Sequence, residues 1–196
     1  MQDYRIQKII DKITSGEIRI PSFQRDYIWE PENVAFLMDS IYKGFPIGSV
    51  LFWRTAEKLH TEKQLGNYCL PEPTKNFPID YVLDGQQRIT SIFTVFQTEL
   101  QPITETEVEI YFNMDEQYDN QKSRFVPFYK SDKVDLEKYF PISVLFDTVA
   151  YRKATASLSD ERVIEIDKLQ EKFKDYTIPY TCLLYTSPSP RDTERS

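Results

Sequence analysis

The chain has 196 residues, of which 40% are hydrophobic, 14% aromatic and 28% charged, a balance in which burial offsets chain entropy and global disorder is excluded. Its 24 Lys and Arg against 31 Asp and Glu give a net charge of −7, which opposes a large sequence-independent DNA footprint but leaves room for a local basic cleft. A single histidine, His60, and two distant cysteines, Cys69 and Cys182, exclude a His-rich metal site, a two-histidine metalloprotease, a His-Asn-His nuclease and a disulfide scaffold.

In chain order, Ile6, Ile9, Ile10 and Ile13 recur at helical spacing and predict a first helix from Asp3 to Ser15, with Gly16 ending it. Glu17 to Ile20 reads as a short extended piece stopped by Pro21. A second helix is expected from Pro31, with Val34, Leu37, Met38 and Ile41 on one face and Gly44 as its stop. Phe45 to Gly48 is a turn, and the apolar run from Ser49 to Arg54 is a buried strand. Polar residues and prolines from Thr55 to Phe77 predict a loop. Ile79 to Leu83 is then a strand, Asp84-Gly85 a tight turn, and Gln86 to Gln97 a helix with Ile89, Ile92, Phe93 and Phe96 inward. Glu107 to Phe112 alternates as a half-exposed strand, Asp115 to Ser123 is a polar loop, and Phe125 to Tyr129 is extended. Ser159 to Lys174 is an amphipathic helix with Val163, Ile166, Leu169 and Phe173 inward, and Thr177 to Leu184 is a last strand. The fold class expected is α/β, in the α+β sense.

No apolar run approaches the roughly 18 residues of a membrane span, and the first residues lack a signal-type apolar core, so a cytoplasmic chain without membrane contact is expected. Residues 183–196 resemble the peptide that results from translating a sequencing adaptor. They predict that the natural sequence departs near Cys182, that one domain spans residues 1–182 and is truncated at its C-terminal end, and that Ser187 to Ser196 packs on nothing.

The most informative segment runs from Val82 to Thr90. A strand that turns through Asp84-Gly85 into a helix leaves the amides of Gly85, Gln86 and Gln87 free at a helix N-terminus, where the dipole favours an anion. Arg88 adds a fork of donors to the same anion, and Asp84 offers a carboxylate to a metal ion, a water or a ribose hydroxyl. The competing reading is that Asp84 simply caps the helix. A second cluster, Gln24, Arg25 and Asp26 between Phe23 and the Tyr27–Trp29 pair, suggests aromatic anchors orienting a guanidinium; its alternative is an Arg25 stacked on a ring and paired with Asp26 or Glu30. In a third, Gly48 and Ser49 offer a turn and a hydroxyl donor to a ligand, against the alternative of a rigid helix-to-strand turn.

Taken in order, I-P-x-F-Q-R-x-Y-x-W at 20–29, D-S-I-x-x-G-x-P-I-G-S at 39–49 and L-D-G-Q-Q-R-I-T at 83–90 resemble the N-terminal domain of GmrSD-type modification-dependent restriction endonucleases. The resemblance implies the ParB/sulfiredoxin-like superfamily of nucleotide-binding folds, a bound nucleoside triphosphate, Mg²⁺, and hydrolysis. It implies catalytic roles for Asp84, Gln87 and Arg88, nucleotide-binding roles for Gln24, Arg25, Gly48, Ser49, Gly85 and Gln86, and Asp84 as metal ligand. Asp39 and Ser40 hold the turn rather than touch ligand. DNA is then cut by a separate His-Asn-His domain or partner, and an oligomer is compatible. The rival readings are a nucleotide sensor without turnover, direct phosphodiester cleavage, and an interaction module.

Overall fold

A computed structural model describes residues 2–57, 59–61, 64–72, 78–104 and 108–184. Its principal sheet has five strands in the order β1 (Gln2–Arg5), β10 (Thr177–Leu184), β3 (Val50–Thr55), β6 (Ile79–Asp84), β2 (Ile18–Arg19). β10 runs parallel to β3 and β2 parallel to β6, while the β1–β10 and β3–β6 pairs are antiparallel. A second sheet, β8 (Phe125–Tyr129), β7 (Val108–Asn113), β9 (Tyr139–Pro141), is antiparallel throughout.

Helix α1 is Ile6–Thr14, and Ile6, Ile9, Ile10 and Ile13 are all buried, as the spacing requires. It starts three residues later than the sequence predicts. Residues 2–5 form β1 instead, because the Tyr4 ring stacks on Tyr180 with centroids 4.1 Å apart across the β1–β10 pair, and a distant strand outcompetes one local helical turn. Gly16 does end the helix, at φ 80° with its N–H on the Ile13 carbonyl. α2 (Pro31–Lys43) opens with Pro31 in its first turn and a reciprocal Glu30–Asn33 capping box, and closes at Gly44 with φ 73°. Backbone bonds from Gly44 to Ile41 and from Phe45 to Ser40 satisfy its last carbonyls.

α3 (Gln86–Phe96) buries Ile89, Ile92, Phe93 and Phe96 and packs on α1 and on a 3-10 helix at Ile142–Phe146. Phe96 meets Phe146 and Phe173 edge-on at 5.0 and 5.4 Å, which ties α3 to α5 (Asp160–Asp175). On α5, Ile166, Leu169 and Phe173 are buried; Val163 is only half-buried.

Within the stretch expected to be a loop, Gln64–Leu65 (β4) and Tyr68–Cys69 (β5) form a small hairpin that buries Leu65, Tyr68 and Leu70. Its apolar residues follow no period because the turn falls between them. α4 (Thr148–Thr155), which the sequence reading did not assign, buries no residue; Asp147 caps it by accepting from the amides of Val149 and Ala150. β10 continues two residues past Cys182, pairing Leu183 with Trp53 and Leu184 with Arg54. The remainder of the adaptor-like segment, including Ser187 to Ser196, lies outside the described residues. Among those described, no helix is long and apolar enough to cross a membrane.

Candidate functional site

The sheet register decides what meets what. β6 is antiparallel to β3 with Asp84 opposite Leu51, so the turn that leaves β6 lies beside the turn that enters β3. β2 is parallel to β6 with Arg19 opposite Tyr81, so the segment leaving β2 emerges at that same end. All three motifs, 20–29, 39–49 and 83–90, therefore reach one end of the principal sheet, where β6 finishes.

Side chains then interlock them. Gln24 Nε2 donates to the Leu83 carbonyl at 3.1 Å. Gln87, 7% exposed, donates from Nε2 to the Asp26 carbonyl and accepts at Oε1 from the Ile28 amide, both at 3.0 Å. Tyr27 shares a 2.9 Å hydrogen bond with Ser91, whose hydroxyl donates to the Gln87 carbonyl at 2.8 Å. Burial holds the Tyr27 hydroxyl above its ordinary pKa, so it stays protonated as this network needs. The 24–28 segment is thus fixed along α3 by its backbone and by inward side chains.

Arg88 bridges to the third motif. Its Nη1 donates to the Ile47 carbonyl at 2.7 Å and its Nη2 lies 3.4 Å from Asp84 Oδ2. Two glycines make room for it. Gly48 and Gly85 have φ of 86° and 91°, and a Cβ would sit 2.6 Å from Arg88 Nη1 at Gly48 and 3.2 Å from Nη2 at Gly85. Both positions need glycine twice over, for the left-handed backbone and for the close guanidinium.

Asp84 does not cap α3. Gly85 occupies the cap position, no side chain caps the helix, and the Asp84 carboxylate is 73% exposed beside Arg88. The capping alternative is overturned, and the first amides of α3, from Gln86 onward, are left uncapped; the Gly85 residue itself supplies the carbonyl that accepts from Ile89. Arg25 and Ser49 are exposed, and neither has a hydrogen bond or ion pair among the described residues. The alternative of an Arg25 paired with Asp26 or Glu30 and stacked on a ring is therefore absent too. Gln86 buries its Oε1 without a partner among the described residues.

Asp39 binds Lys43 at 2.6 Å, and Lys43 also donates to the carbonyls of Asn120 and Lys122, so this pair braces α2 against the 120–122 loop. Ser40 holds the following turn through its carbonyl, which accepts from Phe45. Among the described residues no three His, Cys, Asp or Glu side chains converge to hold a metal. Asp84 alone fits the mode in which Mg²⁺ takes one carboxylate and completes its shell with substrate phosphates and water.

Sequence reasoning did not find the Tyr27–Ser91 link or the two carbonyls, of Ile47 and Leu83, that receive the motif side chains. Ser91 falls one helical turn after Gln87, a spacing that puts both on the face under the 24–28 segment, and this was the available signal.

A mixed five-stranded sheet, one end of which gathers a Q-R segment, a P-I-G-S turn and a D-G-Q-Q-R helix start, defines a domain with one interlocked polar cluster. The sequence profile of the GmrSD restriction endonuclease N-terminal domain matches residues 6–189, and the chain belongs to that family. It is also 26% identical over 178 residues to an uncharacterized protein of Methanocaldococcus jannaschii, across 84% of this chain and 26% of that protein. The chain thus spans about a quarter of the length of the curated relative it matches.

Proposed function

We propose that this domain binds and hydrolyses a nucleoside triphosphate within a prokaryotic restriction-type defence protein, on a ParB/sulfiredoxin-like fold. The observation that carries the reading is the convergence of three sequence-distant motifs at one end of the principal sheet, with Arg25 unpaired among the described residues and the start of α3 uncapped. Phosphate oxygens take the amides from Gly85 to Gln87, and Gly48 and Gly85 let the backbone approach them. Arg25 and Arg88 neutralise their charge, Arg25 as an exposed donor without a partner among the described residues and Arg88 as the one already anchored to Ile47. Ser49 donates to the same group, Gln24 and Gln87 keep the Arg25 segment in place, and Gln86 contributes to nucleotide binding from the first position of α3.

Asp84 is the carboxylate positioned to hold Mg²⁺ or to orient the attacking water and accept its proton. Held by Asp84, Mg²⁺ would supply charge neutralisation to the phosphates. DNA cleavage belongs to a separate domain or partner, in line with a chain that has a single histidine. A second reading, sensing without turnover, is favoured by one feature: both ends of the Gln87 amide are engaged by the 26–28 backbone, which leaves Asp84 as the group on which hydrolysis depends.

The test is phosphate release and binding for four nucleoside triphosphates with and without Mg²⁺. Turnover that Asp84→Asn abolishes while binding persists supports hydrolysis. Tight binding with no turnover supports the sensor. Absence of binding at millimolar nucleotide overturns both.

A further inference from the structure

A second cavity opens farther along α3. It has a volume of about 370 Å³ and is walled by the rings of Tyr27, Trp29 and Tyr68 and by Val95, with Glu109 and Ser143 at its polar side. The cavity lies within the roughly 300–1,000 Å³ range of small-molecule sites and has their usual make-up of aromatic walls and few polar groups. Thr94, which also lines it, is seven residues beyond Gln87, or roughly 10 Å along the helix axis.

Three features narrow the occupant. Three of the lining side chains, Tyr27, Trp29 and Tyr68, are aromatic, the residue type that stacks on planar rings. Glu109 accepts the Tyr111 hydroxyl at one carboxylate oxygen, Oε2, and is exposed, so its other oxygen can accept an N–H from a ring edge. The Ser143 hydroxyl makes no hydrogen bond among the described residues, so it can donate or accept there. A planar heterocycle with N–H donors and ring acceptors on its edge satisfies all three. We propose that this cavity is a nucleobase-binding site.

It is wired to the motif cluster. Tyr27 lines the cavity and hydrogen-bonds Ser91, Ser91 bonds the Gln87 carbonyl, and the Gln87 side chain clamps the segment that carries Arg25. A base seated against Tyr27 and Trp29 therefore orders the same segment that presents Arg25. The base has two sources. It is either that of the triphosphate itself, which rests on the function proposed above, or a separate base, free or within a nucleic acid.

Calorimetric titration of the full chain with adenosine, guanosine, cytidine and uridine tests the site without phosphate. At least one binds, Trp29→Ala weakens it by roughly tenfold or more, and Trp29→Phe restores it to within about threefold. Ser143→Phe, which fills the cavity from the 3-10 helix, produces the same loss and covers the case in which Trp29→Ala does not fold. No nucleoside binding at about 10 mM, or unaltered binding in folded Trp29→Ala and Ser143→Phe, would overturn the proposal.

Tripolyphosphate and nucleoside triphosphates separate the sources. If the base is the triphosphate's own, Trp29→Ala weakens the nucleoside triphosphate but not tripolyphosphate, and the nucleoside competes. If it is separate, nucleoside and triphosphate bind together and Trp29→Ala spares the triphosphate. A chain that binds nucleoside but neither phosphate ligand keeps this site and loses the function proposed above; one that binds tripolyphosphate but no nucleoside does the reverse.

Discussion

At the scale of single residues, the two arginines of the cluster differ in a way that substitution should expose. Arg25 supports nothing in the fold among the described residues, so Arg25→Ala should leave the melting temperature unchanged while weakening triphosphate binding. Arg88 also holds the Ile47 carbonyl, so Arg88→Ala should lose binding and, in addition, about 1 kcal/mol of stability, read by urea denaturation. Gln87→Ala leaves the Asp26 carbonyl and the Ile28 amide without their partner and should cost about 1–3 kcal/mol in urea denaturation. That Gly85, Gln86, Gln87 and Arg88 sit at a strand-to-helix turn was legible in the sequence, because an apolar run stops at Asp84-Gly85 and a helical period follows. What each side chain binds was not. Gln87 points at a backbone 61 positions away from its neighbours in sequence and Arg88 at one 41 away, and nothing local encodes such partners.

Elements whose signal is local were readable: α1, α2, α3 and α5 from apolar spacing, and β3 and β6 from short apolar runs between turns. The extended segments that became β7, β8 and β10 were readable too, whereas elements without a local signal of their own were not. β1 exists because β10 lies beside it, and the β4–β5 hairpin because its apolar residues find a cover; α4 has no buried stripe to betray it. Joining of elements also rests on one buried cation. Arg124 donates to the carbonyls of Asn113 and Met114, to the Tyr42 hydroxyl and to Glu165, and its guanidinium lies 4.2 Å from the Phe112 ring, so it links the second sheet to α2 and α5. Arg124→Ala should cost about 3 kcal/mol or more in denaturant unfolding, through the acceptors it leaves unpaired.

For the molecule as a whole, the tyrosines set an alkaline limit. Burial, with Glu109 adding to it, pushes the Tyr111 hydroxyl up to about 12, and burial, with Tyr4 adding to it, does the same for Tyr180. An unfolded tyrosine titrates near 10. Between about pH 10 and 12 the unfolded chain therefore releases protons that the folded chain keeps, and stability that is intact below pH 10 falls across that window. Thermal melts from pH 8 to 12 should show the fall, and Tyr111→Phe and Tyr180→Phe should flatten it. The triphosphate site we propose is assembled from three motifs at one end of the principal sheet, and calorimetric titration of Mg²⁺-triphosphate into wild type and Arg25→Ala, with melting temperatures measured alongside, tests it. Saturable binding by wild type and at least about tenfold weaker binding by an equally stable Arg25→Ala is the predicted result; no binding at millimolar ligand, or equal affinity in the two proteins, would contradict it.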